Sequence, residues 1–420
     1  MGRKIAILAV LFIGLALRLA PLARTDLPVG ADGFYHYRTT ASIIEEGNVP
    51  EWDHNSYGGR PHIYAPGFHL LSSAFQLLTQ LPLRQIAILT GPIFYIFSAV
   101  LASLYSPLSA FFLSTIPVYL WRTTITFLVS ALWTFLIYTL IKMRKRKIAI
   151  LFALALALTH SAALVVLPLL AILHRNRKRS AVFWFSTVVA SIWWLDIQSI
   201  HQGVPASLQA QIFEGISLTA FVQRSGIQGL LAILGIPSGG TLAVTWTAVF
   251  IAFVSAGLME LDRAIEASGL VIAVLASKVT DKRLIPALVI ISTVWAYSTL
   301  GALDWGYISS DERAAMDWIR ENSLPDSTVA STLGEGYWVN GYLNRKNVMD
   351  GHFATMEDVE ERMEALQHIF SSSPGDYLDT YDISFLFGST KAKYGYGFDG
   401  SGYDSPLFTS ETTDVYFVRR

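Results

Sequence analysis

The chain has no cysteine among its 420 residues. Disulfides, thiol nucleophiles and thiolate metal sites are therefore excluded. Charge is scarce as well: 15% of residues are charged against 52% hydrophobic, and the mean hydropathy is +0.43. An ordinary soluble domain carries more charge and less apolar length, so that class is excluded too. No His-Glu-x-x-His pattern occurs, which argues against a zinc protease. No Gly-x-Ser-x-Gly elbow occurs, which argues against a serine hydrolase. The helix centres lack ionisable groups, Asp196 and Glu266 falling near ends, so a transporter with charged midplane sites is disfavoured. The basic runs are short and stand beside apolar segments, which gives no footprint for nucleic acid.

What is present is a succession of apolar segments separated by basic clusters, the pattern of an α-helical polytopic membrane protein. Residues 5–20 are apolar apart from Arg18 and follow Arg3 and Lys4, which places the N-terminus in the cytoplasm by the positive-inside bias. Arg18 and Arg24 close the segment and no Ala-x-Ala site follows, so it reads as a retained helix and not as a signal peptide. The densest basic runs, 142–147 and 174–179, are placed inside by the same bias, and the other segments alternate around them. A long outer loop, 21–84, ends in an amphipathic stretch, 66–81, that suits the membrane surface. Spans follow at 86–104, 107–121 and 123–141. Residues 148–173 exceed one straight span of roughly 20 and are read as two short helices turning outside near Thr159-His160-Ser161. A helix from about 180 to 196 leads to a second outer loop, 198–225, and segments at 226–236, 242–259, 264–276 and 284–300 complete about eleven transmembrane helices.

Residues 304–420 carry 20 acidic against 9 basic side chains, and the remainder is correspondingly basic. That contrast separates a membrane domain, 1–303, from a soluble outer domain, 304–420. The outer domain alternates helical patterns at 311–321 and 356–370 with short strands at 327–332, 347–349, 383–387 and 415–418, which predicts a small α/β fold.

The motifs sit on the outer side. Asp32-Gly-Phe-Tyr-His-Tyr-Arg38 begins about ten residues after the first apolar helix and opens a helix running to Glu46. Asp32 is read either as a helix cap or as a functional carboxylate that faces water. Tyr64-Ala-Pro-Gly-Phe68 closes the first loop. Pro117-Val-Tyr-Leu-Trp-Arg-Thr123 ends an outer helix, Glu214 lies in the second loop, and Asp262-Arg263 marks a later outer turn. Trp318-Ile-Arg-Glu-Asn322 leads into Gly336-Tyr-Trp-Val339 and Asn344-Arg345. In this order the chain resembles the catalytic subunit of oligosaccharyltransferases in its archaeal and bacterial single-chain form, within the GT-C glycosyltransferases.

The resemblance implies a GT-C membrane domain and transfer of glycan from a polyprenyl or dolichyl (pyro)phosphate to a protein or peptide acceptor, at the outer face of the cell membrane. It also implies roles for single residues. Asp32 activates the acceptor and holds a divalent cation, Mn2+ or Mg2+. Glu214, in Gln211-Ile-Phe-Glu214, contacts the acceptor or is solvated loop. Arg263 and Arg122 are candidates for binding the donor phosphate, a task a guanidinium performs as a planar fork, and Arg263 is alternatively a snorkelling or ion-paired interfacial residue. Tyr337 and Trp338 are candidate substrate-binding residues. His36, one helical turn after Asp32, and His160, at an outer turn, are candidate metal ligands or structural aromatics. Asp53, beside Trp52 and His54, falls at no motif position and is expected to matter little.

Two departures from the family pattern stand out. Arg122 is followed by Thr-Thr-Ile-Thr-Phe-Leu-Val-Ser-Ala131, without the acidic pair that supplies a second metal carboxylate. Thr332-Leu-Gly-Glu-Gly336 stands where the family has the Trp-Trp-Asp-Tyr-Gly signature that reads the acceptor sequon. These departures leave room for a GT-C enzyme that uses a polyprenyl-monophosphate monosaccharide with Asp32 as a metal-free base, or for an inactive assembly subunit.

Overall fold

The computed structural model describes residues 2–28, 30–62, 64–121, 146–159, 181, 184–185, 188, 217–238, 261–301, 307–352, 356, 358–371 and 374–418. The chain forms two compact units. One comprises Met1–Asp26 and most of the chain between Tyr64 and Asp304; the other joins Leu27–Ile63 to Trp305–Arg420. The boundary near 304 coincides with the acidic shift in composition, and Leu27–Ile63, the bulk of the segment 21–84, belongs to the unit that contains Trp305–Arg420.

The first unit is helical. Helix Gly2–Leu19 packs on Leu83–Ser103 and Pro107–Ser114. Arg18 is buried at the end of the first helix and donates to the carbonyls of Gly14 and Ser114, each at 3.0 Å, with its guanidinium 3.8 Å from the centre of the Tyr95 ring. A cation in an apolar setting needs such carbonyl and ring partners, and they tie three helices together. Helix Gly67–Thr79 is amphipathic as expected. It buries Phe68, His69, Ser72 and Ser73 and leaves Leu70, Leu71, Phe75, Leu77 and Leu78 exposed. Among the described residues one helix, Leu83–Ser103, is long and apolar enough to cross a membrane, and shorter apolar helices lie at Ile227–Ser238, Ser268–Val279 and Ile285–Leu300. The spans expected at 123–141, 161–173, 180–196 and 242–259 lie largely or wholly outside the described residues.

Three local expectations are corrected. Residues 107–121 form two pieces, Pro107–Ser114 and Val118–Trp121, and not one helix. Pro117 has no N–H and its ring clashes with the preceding turn, so the helix stops before it. The end of the segment 198–225, expected as loop, is a helix, Leu218–Ser225, started by the Ser217 hydroxyl accepting from the Ala220 N–H at 3.0 Å. Asp262 and Arg263 lie in the first turn of helix Leu261–Val279 and not at a turn between helices.

The second unit is an α/β structure built on a five-stranded sheet. Its strands are β3 (Thr328–Ala330), β4 (Lys346–Asn347), β5 (Ile383–Gly388), β6 (Phe408–Thr409) and β7 (Asp414–Phe417), in the order β4-β3-β5-β7-β6. β3 is parallel to both β4 and β5, while β7 is antiparallel to β5 and β6. The helices expected at 311–321 and 356–370 are Ser310–Asn322 and Val359–Ile369. The first is opened by a capping box in which Ser309 and Glu312 satisfy each other's backbone N–H groups. Ahead of the sheet in sequence, β1 (Trp52–Asp53) and β2 (Arg60–Pro61) form a hairpin whose turn contains Gly58 and Gly59 at φ 70° and 75°. The segment after β1 covers the free edge of β4: the Tyr57 N–H donates to the Asn347 carbonyl at 2.9 Å and the Asn347 N–H to the Asn55 carbonyl at 3.0 Å. An edge strand left open would present unpaired backbone groups, and the first loop closes it.

Candidate active site

Asp32 is the second residue of helix Ala31–Glu46. The residue before the helix is Gly30, at φ 84° with no side-chain cap, so Asp32 is not the helix cap that one reading of the sequence made it. The side chain of Asp32 lies outside the described residues, as do the side chain of Arg263 and residues Arg122, His160 and Glu214 entirely. Asp262, next to Arg263, is paired with Arg224. Asp32 falls in the second unit and Arg263 in the first.

The rest of the Asp32 helix is well defined. Phe34, Tyr35 and His36 are buried. Phe34 meets the backbone of Gly341, where a Cβ would stand 2.5 Å from the Phe34 carbonyl oxygen; glycine permits this approach. Gly341 belongs to a π-helical turn, Val339–Leu343, that continues the short helix Gly336–Trp338. The Tyr35 ring stacks on His352 with centroids 3.9 Å apart and shares a 2.9 Å hydrogen bond with His62 Nδ1. Tyr337, a candidate from the sequence, hydrogen-bonds to His352 Nδ1 at 2.8 Å. Burial pushes the His62 imidazole down to about 4, so it is neutral near pH 7. Burial also keeps the Tyr35 hydroxyl protonated, well above its ordinary value.

Beside this stack lies an ionic cluster that sequence reasoning missed. Arg60 Nη1 and Nη2 each donate at 2.7 Å to the two carboxylate oxygens of Asp350. Its Nε and Nη2 donate to Asp53 Oδ2 at 3.0 and 2.8 Å, and Arg38, on the Asp32 helix, pairs with the other Asp53 oxygen. Asp350 also accepts from Asn340 Nδ2 at 2.7 Å and from the His352 N–H at 2.8 Å. Burial alone would raise both carboxyls. For Asp53 the Arg38 and Arg60 guanidiniums outweigh it, and for Asp350 Arg60 does, so both stay below the ordinary carboxylate range. Asp53, read from sequence as a bystander, is therefore a buried ion-pair residue. The one local signal for the cluster was the Gly58-Gly59 turn with Asp53 and Arg60 on its two arms.

Trp338 is fully buried under Lys391, whose Nζ stands 3.6 Å from the ring centre and 3.3 Å from Glu312 Oε1. Glu335, just before that helix, accepts from the Thr332 N–H and hydroxyl at 3.2 and 2.8 Å and lies 3.9 Å from Lys391. Burial pushes its carboxyl up to about 7, opposed by Lys391. A carboxyl raised on folding adds stability below its unfolded value, near 4.5, and that contribution is lost as the pH rises through about 7. Glu335→Gln is thus expected to match the wild type in thermal melts below pH 4.5 and to exceed it above pH 7, by at most about 3 kcal/mol. Equal melting curves at pH 8 would show that Glu335 ionises there without strain.

The expected cation site rests on Asp32, His36 and His160, of which only His36 has a described side chain. Its ring is buried against Tyr35 at a centroid distance of 5.4 Å. Among the described residues no group of three or more His, Asp or Glu side chains can hold a metal ion. The described residues do not by themselves compose that site.

No protein-family model and no curated protein matches the sequence. Solved structures do match the fold. The Archaeoglobus fulgidus oligosaccharyltransferase aligns over 94% of this chain and 70% of its own, with TM-score 0.68 and 13% identity. ArnT from Cupriavidus metallidurans, bound to undecaprenyl phosphate, aligns over 98% of this chain and 96% of its own, with TM-score 0.54 and 11% identity. The fold is that of the GT-C glycosyltransferases. A third GT-C structure, the mycobacterial arabinofuranosyltransferase AftD, aligns over 98% of this chain and 40% of its own, with TM-score 0.54 and 15% identity. The archaeal GT-C enzyme has also been seen with an inhibitory peptide and a dolichol-phosphate, with an acceptor peptide carrying an NVT sequon, and with zinc and sulfate.

Proposed function

We propose that the chain is a membrane glycosyltransferase that moves glycan from a polyprenyl or dolichyl (pyro)phosphate to a protein acceptor on the outer face of the cell membrane. The observation that carries this reading is the GT-C fold, shared over nearly the whole chain with enzymes seen holding dolichol-phosphate and undecaprenyl phosphate. Asp32 supports it by opening a helix just after the first apolar segment. In the proposed reaction an acceptor nucleophile attacks the anomeric carbon, its proton passes to the Asp32 carboxylate, and the sugar–oxygen bond breaks with the electron pair leaving on the lipid phosphate. Arg263 and Arg122 are assigned to the departing phosphate, Glu214, Tyr337 and Trp338 to substrate.

A monosaccharide on a polyprenyl monophosphate is the second donor to test. Two observations favour it: ArnT matches this chain along almost its full length, and no acidic pair follows Arg122. Purified protein supplied with each class of lipid-linked donor, with and without EDTA, separates the readings. Turnover from the pyrophosphate donor that EDTA abolishes supports the oligosaccharyltransferase-like reading. EDTA-resistant turnover from the monophosphate donor supports the second. No turnover with either points to an assembly subunit and overturns the enzyme reading.

The orientation is tested in cells. Because the chain lacks cysteine, Lys145→Cys and Ser310→Cys each introduce a single thiol. A membrane-impermeant maleimide is expected to label position 310 and not 145 in intact cells. Labelling of both, or of 145 alone, would overturn the outer placement of the C-terminal domain.

A further inference from the structure

The helix that carries Asp32 in its first turn has no side-chain cap at Gly30, so no local hydrogen bond of that kind fixes that turn. Beside the Tyr35–His62 hydrogen bond, three attachments within its own unit tie the helix toward the stretch 341–352. Phe34 abuts Gly341, Tyr35 stacks on His352, and Arg38 pairs with Asp53. The first two end directly on the stretch 341–352. The third reaches that stretch through Arg60, which grips Asp53 on one side and Asp350 on the other, and beside it through Asn55, whose N–H donates to Asp53 and whose carbonyl accepts from the Asn347 N–H. Asp350 is in turn held by Asn340 and by the His352 N–H, so the same short segment anchors all three attachments.

The chemistry makes Arg60 irreplaceable in that chain of contacts. A guanidinium presents two pairs of N–H groups in one plane and can meet two carboxylates at once, which an ammonium cannot do. The group is buried with both partners, so water does not substitute for it. With Arg38, Asp53 and Asp350 it forms a quartet of two cations and two anions. Removing Arg60 leaves two buried carboxylates facing one guanidinium, and they separate or take up protons. In either case the ionic link between the β1–β2 hairpin and Asp350 is lost and only the Asn55 and Tyr57 bonds to Asn347 still join the two, so the Arg38 end of the Asp32 helix is held less firmly.

Resting on the glycosyltransferase reading, we infer that Arg60 is a positioning residue for transfer: its double clamp on Asp53 and Asp350 fixes the Asp32 helix against the segment 341–352. It acts through the helix and touches neither sugar nor phosphate.

The test separates position from stability. Arg60→Met unbalances the quartet, whereas Arg60→Met combined with Asp350→Asn restores charge balance and keeps an amide oxygen for the His352 N–H. Spin labels on Glu45→Cys, in the Asp32 helix, and Glu321→Cys, in helix Ser310–Asn322, report the helix position by electron–electron distance measurement in the otherwise cysteine-free protein. Without the clamp substitutions the labelled protein is expected to give one narrow distance distribution. The charge-balanced double variant should regain most of the melting temperature that Arg60→Met loses. Its distance distribution should stay broad, and kcat should remain down by up to about 10²-fold with donor KM little changed, as expected when a reacting group is misplaced. Recovery of kcat together with melting temperature, or a narrow distribution in the double variant, would overturn the inference and leave the clamp purely structural. If the unaltered protein transfers no sugar, the functional reading fails while the distance distributions still decide whether Arg60 sets the helix. If Arg60→Met alone fails to fold, the double variant and Arg60→Lys, which keeps the charge without the fork, carry the comparison.

Discussion

Asp32→Asn is expected to lower sugar transfer by at least about 10²-fold while the protein remains folded. The amide keeps the shape of the side chain and much of its hydrogen bonding, but it cannot accept the acceptor's proton as a carboxylate does. The two costs differ in size. A carboxylate in the first turn of a helix adds typically about 0.3–1 kcal/mol through the helix dipole, so the stability loss stays near that range. A 10²-fold loss in rate corresponds to about 2.7 kcal/mol of barrier. Thermal melting within a few degrees of wild type, beside a collapse in kcat, is therefore the expected pair of results. Full transfer by the Asn variant would leave Asp32 without a chemical role.

Asp53→Asn should give the opposite balance, a large loss of stability. Asp53 is buried between Arg38 and Arg60, and its loss leaves Arg38 without this carboxylate and Arg60 with Asp350 alone. Breaking a buried pair by removing one partner costs about 3–5 kcal/mol, which for a unit of this size lowers the melting temperature by roughly 10 °C. The pH dependence follows from the sign of the shift. The folded Asp53 carboxyl is held below its ordinary value, so its contribution is present above about 4, the unfolded value, and is lost as the pH falls toward the lower folded value. The gap between wild type and variant should accordingly narrow in acid. A melting shift under about 2 °C at pH 7 would mean that the quartet adds little to the fold.

Elements with a strong local pattern were legible in the sequence. Helices Gly2–Leu19, Leu83–Ser103 and Ser310–Asn322 and strands β3, β5 and β7 fall close to where periodicity and β-branched or aromatic runs placed them. Short or interrupted elements were not. β6 has two residues, and Gly336–Leu343 reads locally as glycines among aromatics, although packing against the Asp32 helix makes it helical. The helix break before Pro117 was visible in principle, but the apolar run on either side outweighed it. The candidate site divides in the same way. Asp32 and Tyr337 stood out because motifs carry them, whereas Arg60 and Asp350 are 290 residues apart and neither belongs to a motif. Local patterning does not encode which distant charges meet, so Asp53 looked idle until the fold brought Arg38 and Arg60 to it.

The central claim is that the chain couples sugar transfer to release of a lipid phosphate. Purified protein in liposomes, given a polyprenyl-phosphate-linked sugar and an acceptor polypeptide, allows both products to be counted by mass spectrometry. The account predicts equal amounts of glycosylated acceptor and freed polyprenyl (pyro)phosphate, both suppressed by Asp32→Asn. Lipid phosphate released with the sugar appearing only in water, or neither product formed with any donor, would contradict it.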